Sequence, residues 1–388
     1  MDFELSDDQK MLVDTAASFA KKESPVTRLR RLREDELGYE KKVWRQLGEL
    51  GWLGILFPDE LGGFGGRFMD AALVIEQFGA TLVPEPYIPA IVLGGMSILH
   101  AGNSEQQKRW LPPLIEGKCT YALAYAEAAS RFDVNAISTT ATADGDSYRL
   151  DGEKVFVLNG HAADSIIVSA RVGDAVSLFV VDAGTDGVSV QPLKTMDGQR
   201  AARIRFDKVA ISSDRLLGEV GNGGAVLDKV MDLGAAAAVA EGLGITQAVL
   251  DMTVEYMKTR EQFNAKIGMF QALQHRAVDM FVQVQLCRSM MMLAGIRADD
   301  ADDDLRRSGV SAAKVQLATG GRFVVRQGIQ LHGGIGCTDE HDVGLYFKRM
   351  QVLAMLFGDE DYHVNRFASQ PSFTAGISEL AGSAGLEG

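Results

Sequence analysis

The chain has 388 residues, 46% of them hydrophobic and 23% charged, with a formal net charge of −13. That is the composition of a soluble globular protein long enough for two or three cores. An acidic balance without a Lys/Arg block excludes a surface built to coat nucleic acid, and no apolar run reads as a membrane span.

The first third reads as helical. Ser6 is placed to N-cap a helix carrying Met11, Leu12, Ala16, Phe19 and Ala20 at helical spacing. Trp44, Leu47 and Leu50 form a second apolar stripe, ending at Gly51. The cluster Gly62-Gly-Phe-Gly-Gly66 reads as a loop, and helical pattern resumes over 69–78 and 105–114. From about residue 118 the texture changes to short β-prone runs: 121–125, 138–143, 147–150, 154–158, 165–170, 177–181, 188–192 and 202–206. Turn signals such as Asp144-Gly145-Asp146, Asp151-Gly152, Asn159-Gly160 and Asp197-Gly198 separate them, as expected of a small antiparallel barrel or sandwich. Helical pattern returns from about residue 224 to 367. The crowded Asp299, Asp300, Asp302, Asp303 and Asp304 mark a solvated connection within it. The predicted domains are a helical 1–117, a β domain 118–225 and a helical bundle 226–370, with 371–388 as a mobile tail.

The N-terminus shows no basic and apolar leader pattern. Cys119, Cys287 and Cys337 are scattered and read as reduced thiols of a cytoplasmic protein. The six His are dispersed, so no metal site is expected. The cluster Gly218-Glu-Val-Gly221-Asn-Gly-Gly224 lacks the strand–turn–helix setting of a nicotinamide-binding fingerprint.

Several segments, in order, resemble the acyl-CoA dehydrogenase family. They are Gly51-Trp-Leu-Gly-Ile-Leu-Phe-Pro-Asp-Glu-Leu-Gly-Gly63, Glu105-Gln-Gln-Lys-Arg-Trp-Leu-Pro-Pro-Leu-Ile-Glu-Gly117, Leu217-Gly-Glu-Val-Gly-Asn-Gly223, Arg260-Glu-Gln-Phe263-Asn-Ala-Lys-Ile-Gly-Met-Phe-Gln271 and Gln330-Leu-His-Gly333-Gly334-Ile-Gly336. The resemblance implies an α+β multidomain fold: an N-terminal helical domain, a β-barrel-like middle domain and a C-terminal four-helix bundle. It implies FAD as cofactor, an acyl-CoA substrate, electron-transferring flavoprotein as acceptor, and a homo-oligomer or a heterotetramer with a second subunit of the family. In that family Arg260, Phe263, Gln271, Gln330, Gly333 and Gly334 match residues that grip the FAD of a neighbouring subunit. A guanidinium fork and Gly-rich backbone suit a pyrophosphate.

The chemistry implied is α,β-dehydrogenation of the thioester. A carboxylate takes the α-proton as the β-hydride goes to flavin N5, and that carboxylate needs an apolar slot and the right reach. Three stretches depart from the pattern. At the positions expected to meet flavin and substrate stand Ala126-Glu-Ala-Ala-Ser-Arg131-Phe132-Asp133, with Ala126 for a hydroxyl, Arg131 for a glycine and Phe132 for a serine. Next, Phe156-Val-Leu158-Asn-Gly160 keeps a ring to cover the flavin at Phe156 and loses a donor at Leu158. Finally, Phe357-Gly358-Asp359-Glu360 puts Asp359 where the family often has its catalytic Glu, one methylene shorter. The other usual position for that Glu is Gly234, and Asp232 just before it matches an acidic position near the CoA arm. Glu241 lies two turns after Gly234 on an apolar helix. As a lone buried carboxylate it is a second candidate base, and as the partner of an Arg or Lys it is structural. Two readings follow: a dehydrogenase using Asp359 or Glu241, or a half-site subunit that lends FAD contacts to a partner. The ending Phe357-Gly-Asp-x-x-x-His363 resembles small subunits of heteromeric enzymes acting on bulky or ω-carboxylated acyl-CoAs, such as pimeloyl or steroid side-chain thioesters.

Overall fold

The structure, a computed structural model, describes residues 4–371 and 373. Apart from Pro371 and Phe373, the expected tail lies outside them. The first elements in chain order are α1 (Asp7–Glu23), α2 (Val26–Leu32), α3 (Lys41–Glu49), α4 (Phe68–Thr81), a π-helical stretch Ile88–Gly95 running into α5 (Met96–Ala101), and α6 (Ser104–Ile115). Strands follow: β1 (Tyr121–Ala124), β2 (Thr140–Asp144), β3 (Ser147–Leu158), β4 (Ser165–Val172), β5 (Ala175–Asp182), β6 (Val188–Lys194) and β7 (Arg200–Ser212). Last come α7 (Gly223–Thr259), β8 (Glu261–Gln262), β9 (Ala265–Lys266), α8 (Gln271–Arg297), α9 (Asp303–Gln316), α10 (Arg322–His332), α11 (Val343–Met355) and α12 (Glu360–Ala368). The α, then β, then α order expected from the sequence is the observed one.

Local chemistry sets many of these boundaries. Ser6 and Gln9 form a reciprocal capping box at the start of α1. Asn103 and Gln106 repeat it at α6. Asp302 caps α9 through the amides of Asp304 and Leu305, so the acidic run is partly a helix start. Gly145-Asp146 is the two-residue turn between β2 and β3, whose register runs Asp144 to Ser147.

By packing, the described chain forms two compact units that do not follow chain order. One takes in Glu23–Arg67 and Val83–Gly234; the other takes in the chain up to Lys22, Phe68–Leu82 and the chain from Ala235 on. The first unit holds a curled seven-stranded sheet in the order β1-β4-β2-β3-β7-β6, with β5 on β4. It is not purely antiparallel, since β1 and β2 both run parallel to β4. Ala122, Leu150, Ile166, Val168, Phe179, Ile204 and Phe206 build its core. The expected break at Asp151-Gly152 is a kink inside a single strand, β3. There the register with β7 slips, and Gly152, at φ 151, leaves room for Thr139 where a Cβ would collide.

In the second unit α4 and α7 cross backbone to backbone. A Cβ at Gly79 would strike the Glu241 carbonyl, and one at Gly244 would strike that of Glu76. α9 continues through a π-helical stretch, Leu317–Gly321, directly into α10. By length and composition α7 is apolar enough to cross a membrane, contrary to the expectation from the sequence. Its few charges are spread thinly, and 89% of its most apolar window is buried, as in a core helix.

Candidate functional site

In the second unit the chain leaves α7 and turns at once. Arg260 follows α7, and β8 and β9 form a minimal hairpin pairing Gln262 with Ala265. Its two turn residues, Phe263 and Asn264, both have positive φ (52 and 59), the pattern of a type I′ turn. The hairpin is not legible in the sequence, because Phe-Asn is a poor I′ signature. The turn lifts the Phe263 ring out to 89% exposure, edge-to-face with Phe270. Gln271, also exposed, opens α8.

The second glycine-rich motif lies beside this hairpin. Tyr256, one turn before Arg260, stacks on His332 at 4.5 Å between ring centroids. His332 donates from Nδ1 to the Gly328 carbonyl and immediately precedes Gly333. Gly333 needs its glycine for φ 64. Gly334 does not: its φ is not in the left-handed region, and a Cβ there would meet nothing within 4 Å. Among the described residues nothing requires a glycine at 334, and the open space over Gly333 and Gly334 suits the close approach of a ligand or a second chain. Gln330 is exposed on the same approach.

The two candidate carboxylates are held differently. Glu241, on α7, lies in a buried bidentate pair with Arg349 of α11, Nε to Oε1 at 2.6 Å and Nη2 to Oε2 at 2.8 Å. Both of its oxygens face the guanidinium. Asp359 is the N-cap of α12, its Oδ1 accepting from the Tyr362 amide at 2.9 Å. It follows a turn in which Phe357 (φ 61) and Gly358 (φ 117) both have positive φ. His363, on the same helix, is buried and bonded to the Phe357 carbonyl. Lys314 beneath the turn is fully buried, which its sequence setting hides, because a lysine on an amphipathic helix reads as surface.

In the first unit, β3 and the segment after β1 are tied together. The Val155 amide donates to the Ala126 carbonyl at 2.9 Å. Between Lys154 and Val157, β3 carries one more residue than β7, a bulge that turns Phe156 outward at φ 52 and 41% exposure. Lys154 points inward to Glu127, Nζ to Oε1 at 2.8 Å. Ser138 and Thr139 also donate to Glu127, each through both amide and hydroxyl. Burial alone would raise the Glu127 carboxyl. The hydrogen bonds from Lys154 and Ser138, the Lys154 charge and Thr139 outweigh it and hold the group at about 2. Such a depressed group adds stability that is complete above its unfolded value and is lost as pH falls from about 4.5 to 2. We expect roughly 2 kcal/mol of that loss to be absent in Glu127→Gln, read as a flatter urea-midpoint profile below pH 4.5.

Ala126 and Leu158 add no side-chain donor, Phe132 is half-buried and Asp232 is buried. Arg131 stands at φ 47, a left-handed conformation that suits the glycine it replaces. Arg131→Gly is therefore expected to stabilise the protein by about 1 kcal/mol, measured as a higher thermal midpoint. No change, or a lower midpoint, would mean that the arginine's contacts outweigh its strain.

Sequence models of the acyl-CoA dehydrogenase N-terminal, middle and C-terminal domains match residues 6–118, 122–209 and 221–370. The chain is 31% identical over 356 residues to a probable acyl-CoA dehydrogenase, YngJ, of Bacillus subtilis (strain 168), covering 88% of this chain and 92% of that protein. Butyryl-CoA dehydrogenase from Megasphaera elsdenii superposes with a TM-score of 0.88 at 26% identity, covering 95% of this chain and 99% of that one. A chain of the ChsE4-ChsE5 complex from Mycobacterium tuberculosis superposes with a TM-score of 0.86 at 26% identity, covering 95% and 98%.

Proposed function

The chain belongs to the acyl-CoA dehydrogenase family, an oxidoreductase family, and from that premise we propose that it takes part in FAD-dependent α,β-dehydrogenation of an acyl-CoA thioester with Asp359 as base. The observation that carries this reading is the juxtaposition made by Tyr256 and His332. It sets the Arg260–Phe263 hairpin beside the open Gly333–Gly334 backbone. A guanidinium, an exposed aromatic ring and bare backbone amides are the donor set for a dinucleotide's adenine and pyrophosphate. Arg260, Phe263, Gln271, Gln330, Gly333 and Gly334 would hold that end of a neighbouring subunit's FAD, and Phe156 would cover a ring face of the chain's own. When bound, FAD supplies the hydride acceptor. The chain's own carboxylate takes the α-proton at an Asp359 oxygen. Asp359 is preferred over Glu241 because the cap uses Oδ1, whereas both Glu241 oxygens are committed to Arg349. Asp232 and Phe132 would line the thioester arm. Electron-transferring flavoprotein is the acceptor that fits, and the cytoplasm the compartment.

A second reading has its own support. Ala126 and Leu158 offer no side-chain donor, and Arg131 fills a place shaped for glycine. On this reading the chain lends FAD contacts to a partner subunit that holds the complete site. Two solved relatives of similar fold are described as two-component complexes, ChsE4-ChsE5 and the steroid enzyme Tcur3481-Tcur3483. Purification decides between the readings. A homo-oligomer with one FAD per chain that bleaches with an acyl-CoA supports independent catalysis. A colourless chain that gains one FAD per pair of chains on co-expression with a second family member supports the half-site role.

A further inference from the structure

The turn that delivers Asp359 is held from beneath by one helix. α11 ends at Met355 and α12 begins at Glu360, leaving the segment 356–359 to connect them. Two successive positive φ values make this connection costly in isolation, and for Phe357 no glycine relieves it. Gly358 is required both by its φ of 117 and because a Cβ would collide with Tyr362 and the His363 ring.

Two side chains of α9 reach this connection. Ser311 and Lys314 are three residues apart, on one helix face, and both are buried. The Lys314 ammonium donates to the Leu353 carbonyl at 2.6 Å, one of the last carbonyls of α11 and without an intrahelical partner. Its charge is also attracted to Asp359, the cap of the next helix. Lys314 thus bridges the negative end of α11 and the acidic start of α12. The second contact runs through His363. Its Nε2 lies 3.0 Å from the Phe357 carbonyl, which can only accept, so Nε2 carries the proton. Nδ1 then accepts from the Ser311 hydroxyl at 3.2 Å. Arg366 also donates to that hydroxyl, at 3.4 Å.

We infer that Ser311 and Lys314 are positioning residues that lock the 356–358 turn and thereby fix the direction of Asp359. The part concerning turnover rests on Asp359 being the base, as proposed above; the lock itself does not. The lock has a built-in pH response. Burial brings the Lys314 ammonium down to about 7, opposed by the Asp359 charge. Burial, with the charges of Lys314 and Arg366, takes His363 down to about 3, so His363 stays neutral while Lys314 titrates. The groups acting on Lys314 are the Leu353 carbonyl from α11 and Asp359 and His363 from the α12 side. Loss of its proton removes the ionic bridge and leaves the His363 contact in place.

The test measures amide hydrogen exchange at 356–359 in the assembled holoprotein, alongside turnover, for wild type, Lys314→Met, Ser311→Ala and Asp359→Asn. Exchange at these amides, corrected for intrinsic rates, is expected to be about tenfold faster in both α9 variants. In wild type it should quicken as pH rises through about 7, a step that Lys314→Met lacks. Turnover should fall about tenfold with KM changed less than twofold, the signature of a displaced reacting group. Ser311→Ala removes a single hydroxyl and serves if Lys314→Met does not fold. Unchanged exchange in folded variants overturns the inference. Faster exchange, with turnover indifferent both to it and to Asp359→Asn, upholds the lock and instead removes Asp359 as base.

Discussion

Glu241→Gln is expected to destabilise the protein by about 3–5 kcal/mol, the usual cost of removing one partner from a buried ion pair. Arg349 would stay in place, 7% exposed, with its guanidinium facing a neutral amide. Urea unfolding measures this directly. The double change Glu241→Leu with Arg349→Met should recover most of the loss, because a well-packed apolar pair of similar volume is often as stable as a buried ionic one. If Glu241→Gln is instead as stable as wild type yet nearly inactive, the pair is dispensable for folding and Glu241 is the base.

Asp359→Asn should show the opposite signature. Asparagine caps a helix about as well as aspartate, so the cost should be confined to the lost attraction to the Lys314 ammonium, about 1 kcal/mol and well below that of Glu241→Gln. A neutral amide cannot accept the α-proton, so turnover should fall by about 10²–10⁴ if Asp359 is the base. Single-turnover flavin bleaching in the assembled enzyme is the measurement, since it isolates proton and hydride transfer from product release. Unchanged bleaching removes Asp359 from the chemistry and strengthens the half-site reading. The two substitutions together separate a structural carboxylate from a reacting one, a distinction that burial alone does not make.

The class and order of elements were legible because they rest on local signals. The capping pair Ser6 and Gln9, the Gly-Asp turn after Asp144 and the apolar spacing of α1 are each set by a few neighbouring residues. Features that depend on distant residues were not legible. The kink at Gly152 exists because Thr139 packs against it, and the bulge at Phe156 because β7 is one residue short there. Glu241 illustrates the limit most clearly: its helix, face and burial were readable, but its partner Arg349 is more than a hundred residues away. Lys314 was invisible for the same reason, since only the folded chain brings Leu353 and Asp359 to it.

The π-helical stretch Leu317–Gly321 gives one continuous helix two independent bearings. Each residue of an α-helix turns the direction of its neighbours by about 100°, and a π turn takes up one residue more than an α turn. Ser311 and Lys314 before the stretch, and Gln330 and Gly333 after it, are therefore out of phase by about that angle. The helix works as an offset crankshaft: one throw braces the turn before Asp359, and the other presents the open glycine backbone. Deleting a single residue from 317–321 would straighten the shaft, and the two throws could no longer both be seated.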